Sequence, residues 1–252
     1  MVDAPLGTSS PLFDGSTAQD IAARCDVPAV HMFEEVGSTM DVAHDLAAAG
    51  APAGTVVLAE RQVQGRGRGG HGWTTAPGST IALSLVERPL DADAIGVLSL
   101  RLGIRVAQVL SRHAPDVMVK WPNDLMRHSA KLGGILVEAR WHGGRPDWVV
   151  VGIGVNVSSS PWPGGAALDF HGSRIEILAE LLPAMRAASM AEGGLSEGER
   201  AEWRRRDWAA GRAVVSPARG VVRGVESDGS LVVDGAAGPI RCTSGSLVLA
   251  EE

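Results

Sequence analysis

Three short segments of this 252-residue chain carry residue types that could do chemistry. Residues 61–73, RQVQGRGRGGHGW, set Arg66 and Arg68 among Gly65, Gly67, Gly69 and Gly70. Such a turn lets backbone N–H groups converge on an anion, and guanidinium forks can grip one in two-pronged fashion. Residues 120–124, KWPND, read as a turn at the end of a strand that brings Lys120 close to Asp124. Lys131 then opens KLGGILVE, where Gly133 and Gly134 allow close approach of a ligand or another backbone. GIGVNV at 152–157 is the third segment. Together they describe a cationic, glycine-lined site for anions. It is not a Walker loop, because no GxxxxGK[ST] occurs. Nor is GIGVNV a dinucleotide fingerprint: Val157 takes the last glycine's place, and SSSPWPG follows instead of a helix.

Composition narrows the choice. Arg–Gly tracts also occur in RNA-binding tethers, but the formal net charge here is −6, the wrong sign for a general nucleic-acid binder. The chain uses Arg almost throughout and keeps only two lysines, Lys120 and Lys131, and two asparagines, Asn123 and Asn156. A lysine kept where arginine is otherwise preferred points to a need for a compact ammonium. Cys25 and Cys242 lie at opposite ends without CxxC spacing, and the seven histidines show no ligand spacing, so no metal site is expected. No apolar run reaches the ~18 residues of a membrane span, and the first residues lack a signal pattern. The expectation is a cytoplasmic protein that binds neither membrane nor nucleic acid.

The elements that position these residues are readable from pattern. A short helix is expected from Ser16, as N-cap, to about Cys25. AVHMFEEVG reads as a strand, and Ser38 caps a helix that stops at Gly50. TVVLAE and STIALSLVE are strands on either side of the arginine–glycine turn, which is therefore tethered at both ends. Helical spacing of Ile95, Leu98, Leu102, Val106 and Val109 marks a helix over Ala92–His113. VMVKW, KLGGILVEAR and DWVVVGIGVNV read as three successive strands with connections short enough for antiparallel pairing. If the first two form a hairpin, Lys120 and Lys131 lie at the same end of it. IEILAELLPAM and the stretch around Glu199–Trp208 are helical. From Gly211, short Val-rich runs separated by Gly-, Pro- and Ser-rich turns suggest a small all-β barrel.

GRGRGGHGW, KWPNDLM with KLGGILVE, and VVVGIGVNV, in this order, resemble the biotin–protein ligases, the match extending from about Ser38 to Val157. The resemblance implies an α+β fold: a mixed, largely antiparallel sheet with flanking helices, similar to class II aminoacyl-tRNA synthetases and the biotin–lipoate ligases, plus a C-terminal SH3-like barrel. The implied division is an extension at 1–27, a catalytic domain at 28–208 and the barrel at 209–252. It implies a monofunctional enzyme with no N-terminal DNA-binding domain, taking biotin and ATP as substrates with Mg²⁺. Biotinyl-5′-AMP forms first, and biotin then passes to a lysine of a biotin carboxyl carrier protein. A homodimer stays open. Two anions must meet in the first step. At ~4 Å and an effective dielectric near ~20 they repel by about 4 kcal/mol, which cations must offset.

Carried over by position, the resemblance gives biotin binding to Ser38, Thr39, Gln62, Gly65, Arg66, Arg68, Lys131, Gly134 and Gly152. ATP or adenylate binding falls to Arg66, Trp73, Lys120, Asn123, Lys131 and Asn156, with Gly152 also along the adenylate. Lys131, Arg68, Lys120 and Asp124 are the implied catalytic residues, Asp124 as helper to the incoming lysine. Two departures from the family pattern stand out: Met40 where asparagine is usual, and Gln64 where a small residue often precedes the first loop glycine. A lipoate or octanoate ligase is the nearest alternative, and a biotin-responsive repressor a disfavoured one.

Overall fold

The computed structural model describes residues 7–10, 12–88 and 91–250. The chain runs β1 (Thr8–Ser9), α1 (Ala18–Cys25), β2 (Val30–Val36), α2 (Thr39–Ala48), β3 (Val56–Gln62) and β4 (Thr80–Glu87). It continues with α3 (Ala92–Leu110), β5 (Val117–Lys120), β6 (Asp124–Arg127), β7 (Ala130–His142) and β8 (Arg145–Asn156). Then come α4 (Arg174–Ser189), α5 (Glu197–Arg206), β9 (Ala213–Ser216), β10 (Gly220–Val225), β11 (Leu231–Gly235), β12 (Gly238–Cys242) and β13 (Val248–Leu249).

Strands β1–β8 form one mixed sheet in the order β1-β2-β3-β4-β8-β7-β6-β5. Only β2 and β3 are parallel, as their connection through α2 requires; every other pair is antiparallel. β9–β13 make a second, antiparallel sheet in the order β12-β11-β10-β9-β13. The fold is the α+β class expected, with a small β unit at the C-terminal end.

Local chemistry explains most boundaries. α1 starts one residue later than expected: Thr17, not Ser16, is the N-cap, because Asp20 completes a reciprocal capping box with it. Ser38 caps α2 as expected, accepting from the Met40 N–H. α3 ends at Leu110, three residues short of the expected end, as the chain tightens into turns. The larger difference lies between Lys120 and Lys131. The segment expected as a plain connection contains β6, a four-residue strand between two tight turns. Lys120 therefore pairs with Asp124 on β6, and Lys131 with Met126, so the two lysines are not the ends of one hairpin. DLMR is too short for its alternation to be read against flanking turn residues.

The sheet divides the core. One face buries Val56, Leu58, Ile81, Leu83, Leu85, Val149, Val151, Ile153 and Val155 beneath α1, α3 and α4. The other buries Val57, Ala59, Val86 and Val150 against Met40, Val42, Ala43 and Ala47 of α2. α2 is only ten residues long and cannot cover all of that second face. The larger core continues beneath the second sheet through Val214, Val222, Leu231 and Val233.

A buried arginine ties the N-terminal residues to this frame. Arg174, 3% exposed, bonds Asp14 and Glu60, donates to the Thr80 carbonyl at 2.8 Å and stacks over Phe13. Burial alone would raise the Asp14 pKa, but the bonds from Arg174 outweigh it and hold the carboxyl below its ordinary range. Removing the cation strands two carboxylates in a part-buried place. Arg174→Ala is expected to lower unfolding free energy by about 3–5 kcal/mol in urea titration. A loss below about 1 kcal/mol would reduce the clamp to the weight of a surface pair.

Candidate active site

The uncovered part of the second face is where the site lies. Reading the register across the sheet, one row runs Lys120, Asp124, Gly134, Gly154, Ala82, Ala59. The next row contains Leu136, Gly152, Ser84 and Val57. Side chains on paired residues point to the same side, so glycine and alanine leave the middle of that face bare. A cavity of about 600 Å³ opens there, within the usual range for small-molecule sites. The alternate glycines of GIGVNV and the second glycine of KLGG thus remove side chains from one face. Met40 and Trp73 rest directly on this floor. A methyl built on Gly152 would come within 2.6 Å of the Met40 sulfur, and one on Gly154 would overlap the Trp73 indole.

One end of the cavity is polar and neutral. Gln62 Oε1 accepts from the Thr39 N–H at 2.8 Å and from the Thr39 hydroxyl at 3.0 Å, and Ser84 donates to Thr39 Oγ1 at 2.9 Å. With its oxygen doubly engaged, Gln62 turns its amide NH₂ toward Gly65. Donors and a hydroxyl gathered this way suit a neutral amide or urea group.

The other end is cationic. The arginine–glycine turn closes on itself: Arg66 bridges Gly72, the Gly67 N–H donates to the His71 carbonyl at 2.7 Å, and the Trp73 N–H donates to the Gly65 carbonyl at 2.8 Å. Of the four turn glycines, Gly67 thus spends its N–H on the turn's own shape. Arg66 is gripped by Asp41 at 2.5 Å and by Glu138. Burial works against its charge, but those two carboxylates prevail and raise its pKa above the ordinary guanidinium value. Arg68 donates to the Gly245 carbonyl at 2.5 Å. Lys131 pairs with Asp124 at 2.6 Å and stands 6.0 Å from the Trp73 ring centre. Of the three cations lining the cavity, Arg68 has a neutral partner and is the least costly to redirect to an incoming anion. Trp73 Nε1 is buried without a partner among the described residues and offers one more donor.

Thr39, Gln62, Arg66, Arg68, Trp73, Asn123, Asp124, Lys131, Gly134 and Gly152 all line the cavity, as the sequence suggested. Four expected residues do not. Ser38 is buried as the α2 cap. Gly65 lies in the turn with no room for a side chain against the Trp73 carbonyl. Asn156 is fully buried and donates to the Ala166 carbonyl, holding the segment after β8. Lys120 sits 5.2 Å over the Trp208 ring. Burial lowers its pKa, with Lys131 and Arg212 adding to the effect and Asp124 opposing it. Sequence reasoning missed His71, Leu136, Gly245 and Ser246 as lining residues. The last two come from the loop before β13, and nothing in their sequence marks them. Among the described residues no cluster of three or more His, Cys, Asp or Glu is arranged to hold a metal, and Asp124 is the one carboxylate lining the cavity.

Known proteins share both sequence and fold. Residues 32–156 match the family described as "Biotin/lipoate A/B protein ligase family". The bifunctional ligase/repressor BirA of Bacillus subtilis is 36% identical over 128 residues, covering 50% of this chain and 39% of that protein. The biotin–[acetyl-CoA-carboxylase] ligase of Mycobacterium tuberculosis is 38% identical over 114 residues, covering 43% of this chain and 41% of that protein. The chain thus spans about two-fifths of the length of these curated relatives. Biotin protein ligase from Aquifex aeolicus, solved in complex with biotin and ATP, has the same fold: TM-score 0.72 and 23% identity, over 88% of this chain and 99% of that one. The matched segment begins in β2 and ends with β8, so it holds the polar end, the cationic turn, both lysines and the glycine rows. That segment, just under half of the chain, is where the likeness to the biotin/lipoate A/B protein ligase family lies.

Proposed function

We propose that the protein is an ATP-dependent biotin–protein ligase. The observation that carries this reading is the division of one cavity into a neutral end, Thr39–Gln62–Ser84, and a cationic end, Arg66, Arg68 and Lys131. Biotin has that polarity: a urea at one end and a carboxylate at the other. A lipoyl or octanoyl chain offers nothing to the neutral end. The curated relatives carry biotin-ligase names, and solved relatives hold biotin and ATP or biotinyl-5-AMP.

In the first step a biotin carboxylate oxygen attacks the α-phosphorus of MgATP. The bond from that phosphorus to the bridging oxygen breaks, pyrophosphate leaves, and biotinyl-5′-AMP forms. Arg68 and Lys131 offset the repulsion between the two anions and the charge that gathers in the transition state. A Mg²⁺ brought by the nucleotide would need only one or two protein carboxylates beside the phosphates, and Asp124, which lines the cavity, would be the residue to hold it. In the second step the amine of a carrier-protein lysine attacks the acyl carbon, the amide forms and AMP leaves. That amine must first lose a proton, since its ordinary pKa is about 10.4, and Asp124 is the nearest carboxylate to take it. Residues 28–208 carry this chemistry, while 209–252 close one side of the cavity through Gly245 and Ser246. The partner is a biotin carboxyl carrier domain, and the setting cytoplasmic; no helix among the described residues is long and apolar enough to cross a membrane.

With MgATP, pyrophosphate is expected on adding biotin and not on adding lipoate or octanoate. A carrier domain should gain one biotin by mass spectrometry. Release with lipoate alone would move the assignment to the other branch of the family.

A further inference from the structure

Arg66 is held by a chain of contacts that leaves the cavity altogether. Its Nη1 donates to Asp41 and its Nη2 to Glu138 Oε1. The other oxygen of Glu138 lies 3.1 Å from His44 Nε2, and Trp148 Nε1 lies 3.0 Å from His44 Nδ1. An indole N–H can only donate, so Nδ1 is the acceptor, and the ring hydrogen sits on Nε2 and goes to Glu138. Trp148 is itself fixed, with the Arg88 and Arg140 guanidinium carbons each 5.9 Å from its ring centre. The relay joins α2, the arginine–glycine turn, β7 and β8.

The two arms holding Arg66 are not equal. Asp41 is 58% exposed, and a pair so open to solvent contributes little. Glu138 is 30% exposed and is oriented by His44, so its arm decides where Arg66 stands. Asp41, His44, Glu138 and Trp148 do not line the cavity; they act through Arg66 on the turn that does.

We propose that His44 is a positioning residue: by orienting Glu138 it holds Arg66, and with it residues 65–72, closed over the cavity. The consequence for turnover rests on the ligase reading, under which a closed turn would shield biotinyl-5′-AMP, a water-labile mixed anhydride. The closure itself does not depend on that reading.

Two measurements on the full chain test it. Hydrogen exchange of residues 65–72, without ligand, should be about tenfold faster in His44→Ala than in the unaltered protein, a change of about 1.4 kcal/mol. His44→Gln keeps one acceptor for Trp148 and one donor for Glu138, and should return exchange to within about threefold. Should His44→Ala fail to fold, Glu138→Gln, which keeps the volume and removes the charge, should show the same acceleration. Unchanged exchange at 65–72, or a glutamine variant as fast as the alanine one, overturns the proposal. In steady state, His44→Ala should raise the KM for biotin about tenfold and leave kcat within about threefold. A fall in kcat at unchanged KM overturns it too. If the unaltered protein releases no pyrophosphate with biotin, the ligase reading fails, and the exchange measurement still judges the closure.

Discussion

Lys131→Ala is expected to slow biotin-dependent pyrophosphate release by about 10²–10³-fold, the usual effect of deleting one preorganised charge from a transition-state site. The Lys131 side chain is 40% exposed, in the cavity wall, so its removal opens no hole in the core and the melting temperature should barely move. The loss should fall on kcat more than on the KM for biotin, because Thr39 and Gln62, at the far end, still hold the neutral part of the substrate. Lys131→Arg makes the sharper comparison. It keeps the charge but spreads it over a planar fork, in a chain that otherwise prefers arginine. It should recover only part of the rate. Pyrophosphate release within about threefold of the unaltered protein in the alanine variant would remove Lys131 from the chemistry.

Gly154→Ala is expected to reduce kcat/KM by at least about 100-fold, a size typical of sites displaced by an ångström or so. The new methyl would occupy the place of the Trp73 indole, and that ring cannot tilt aside freely: Trp162 meets its edge with centroids 5.1 Å apart. Trp73 closes the arginine–glycine turn through its N–H bond to the Gly65 carbonyl, so displacing it also disturbs Arg66 and Arg68. Gly152→Ala is the control. There the methyl would meet the Met40 thioether, a flexible chain that can move by rotation. Its effect should be at least tenfold smaller. Equal losses in the two variants would mean that added volume alone, not the indole, governs the site.

What the sequence made legible follows from which interactions are local. GIGVNV stands out in sequence only as a third segment of the site; the bare face that Gly152 and Gly154 leave, set by strand alternation, is seen in the structure. Ser38 as helix cap and a turn after Lys120 are decided within four residues, and the structure has both, with Asp124 opening β6 just past the turn. The two retained lysines did mark the site's neighbourhood, but β6 separates them, and Lys120 faces Trp208 rather than the cavity. What was not legible depends on distant pairing. The carboxylate that holds Arg66 is 72 residues away, and the carbonyl that holds Arg68 is 177 residues away. Charge spacing along the chain showed two arginines poised for an anion; folding gives one of them two carboxylates first. Met40, conspicuous in sequence as a departure from the family pattern, turns out to be packed upon Gly152, where its bulk meets no opposing side chain.

The floor of the cavity has a consequence for how such a pocket can change over generations. Across Gly134, Gly154 and Gly152 the floor is made of peptide groups, with Met40 and Trp73 resting on the last two, and no point substitution can delete a peptide group. Mutation at these places can only add atoms. Drift there is therefore one-directional, toward a smaller bed for the ligand. Any enlargement of the acids accepted has to come from the roof, where Met40 and Trp73 still have atoms to lose.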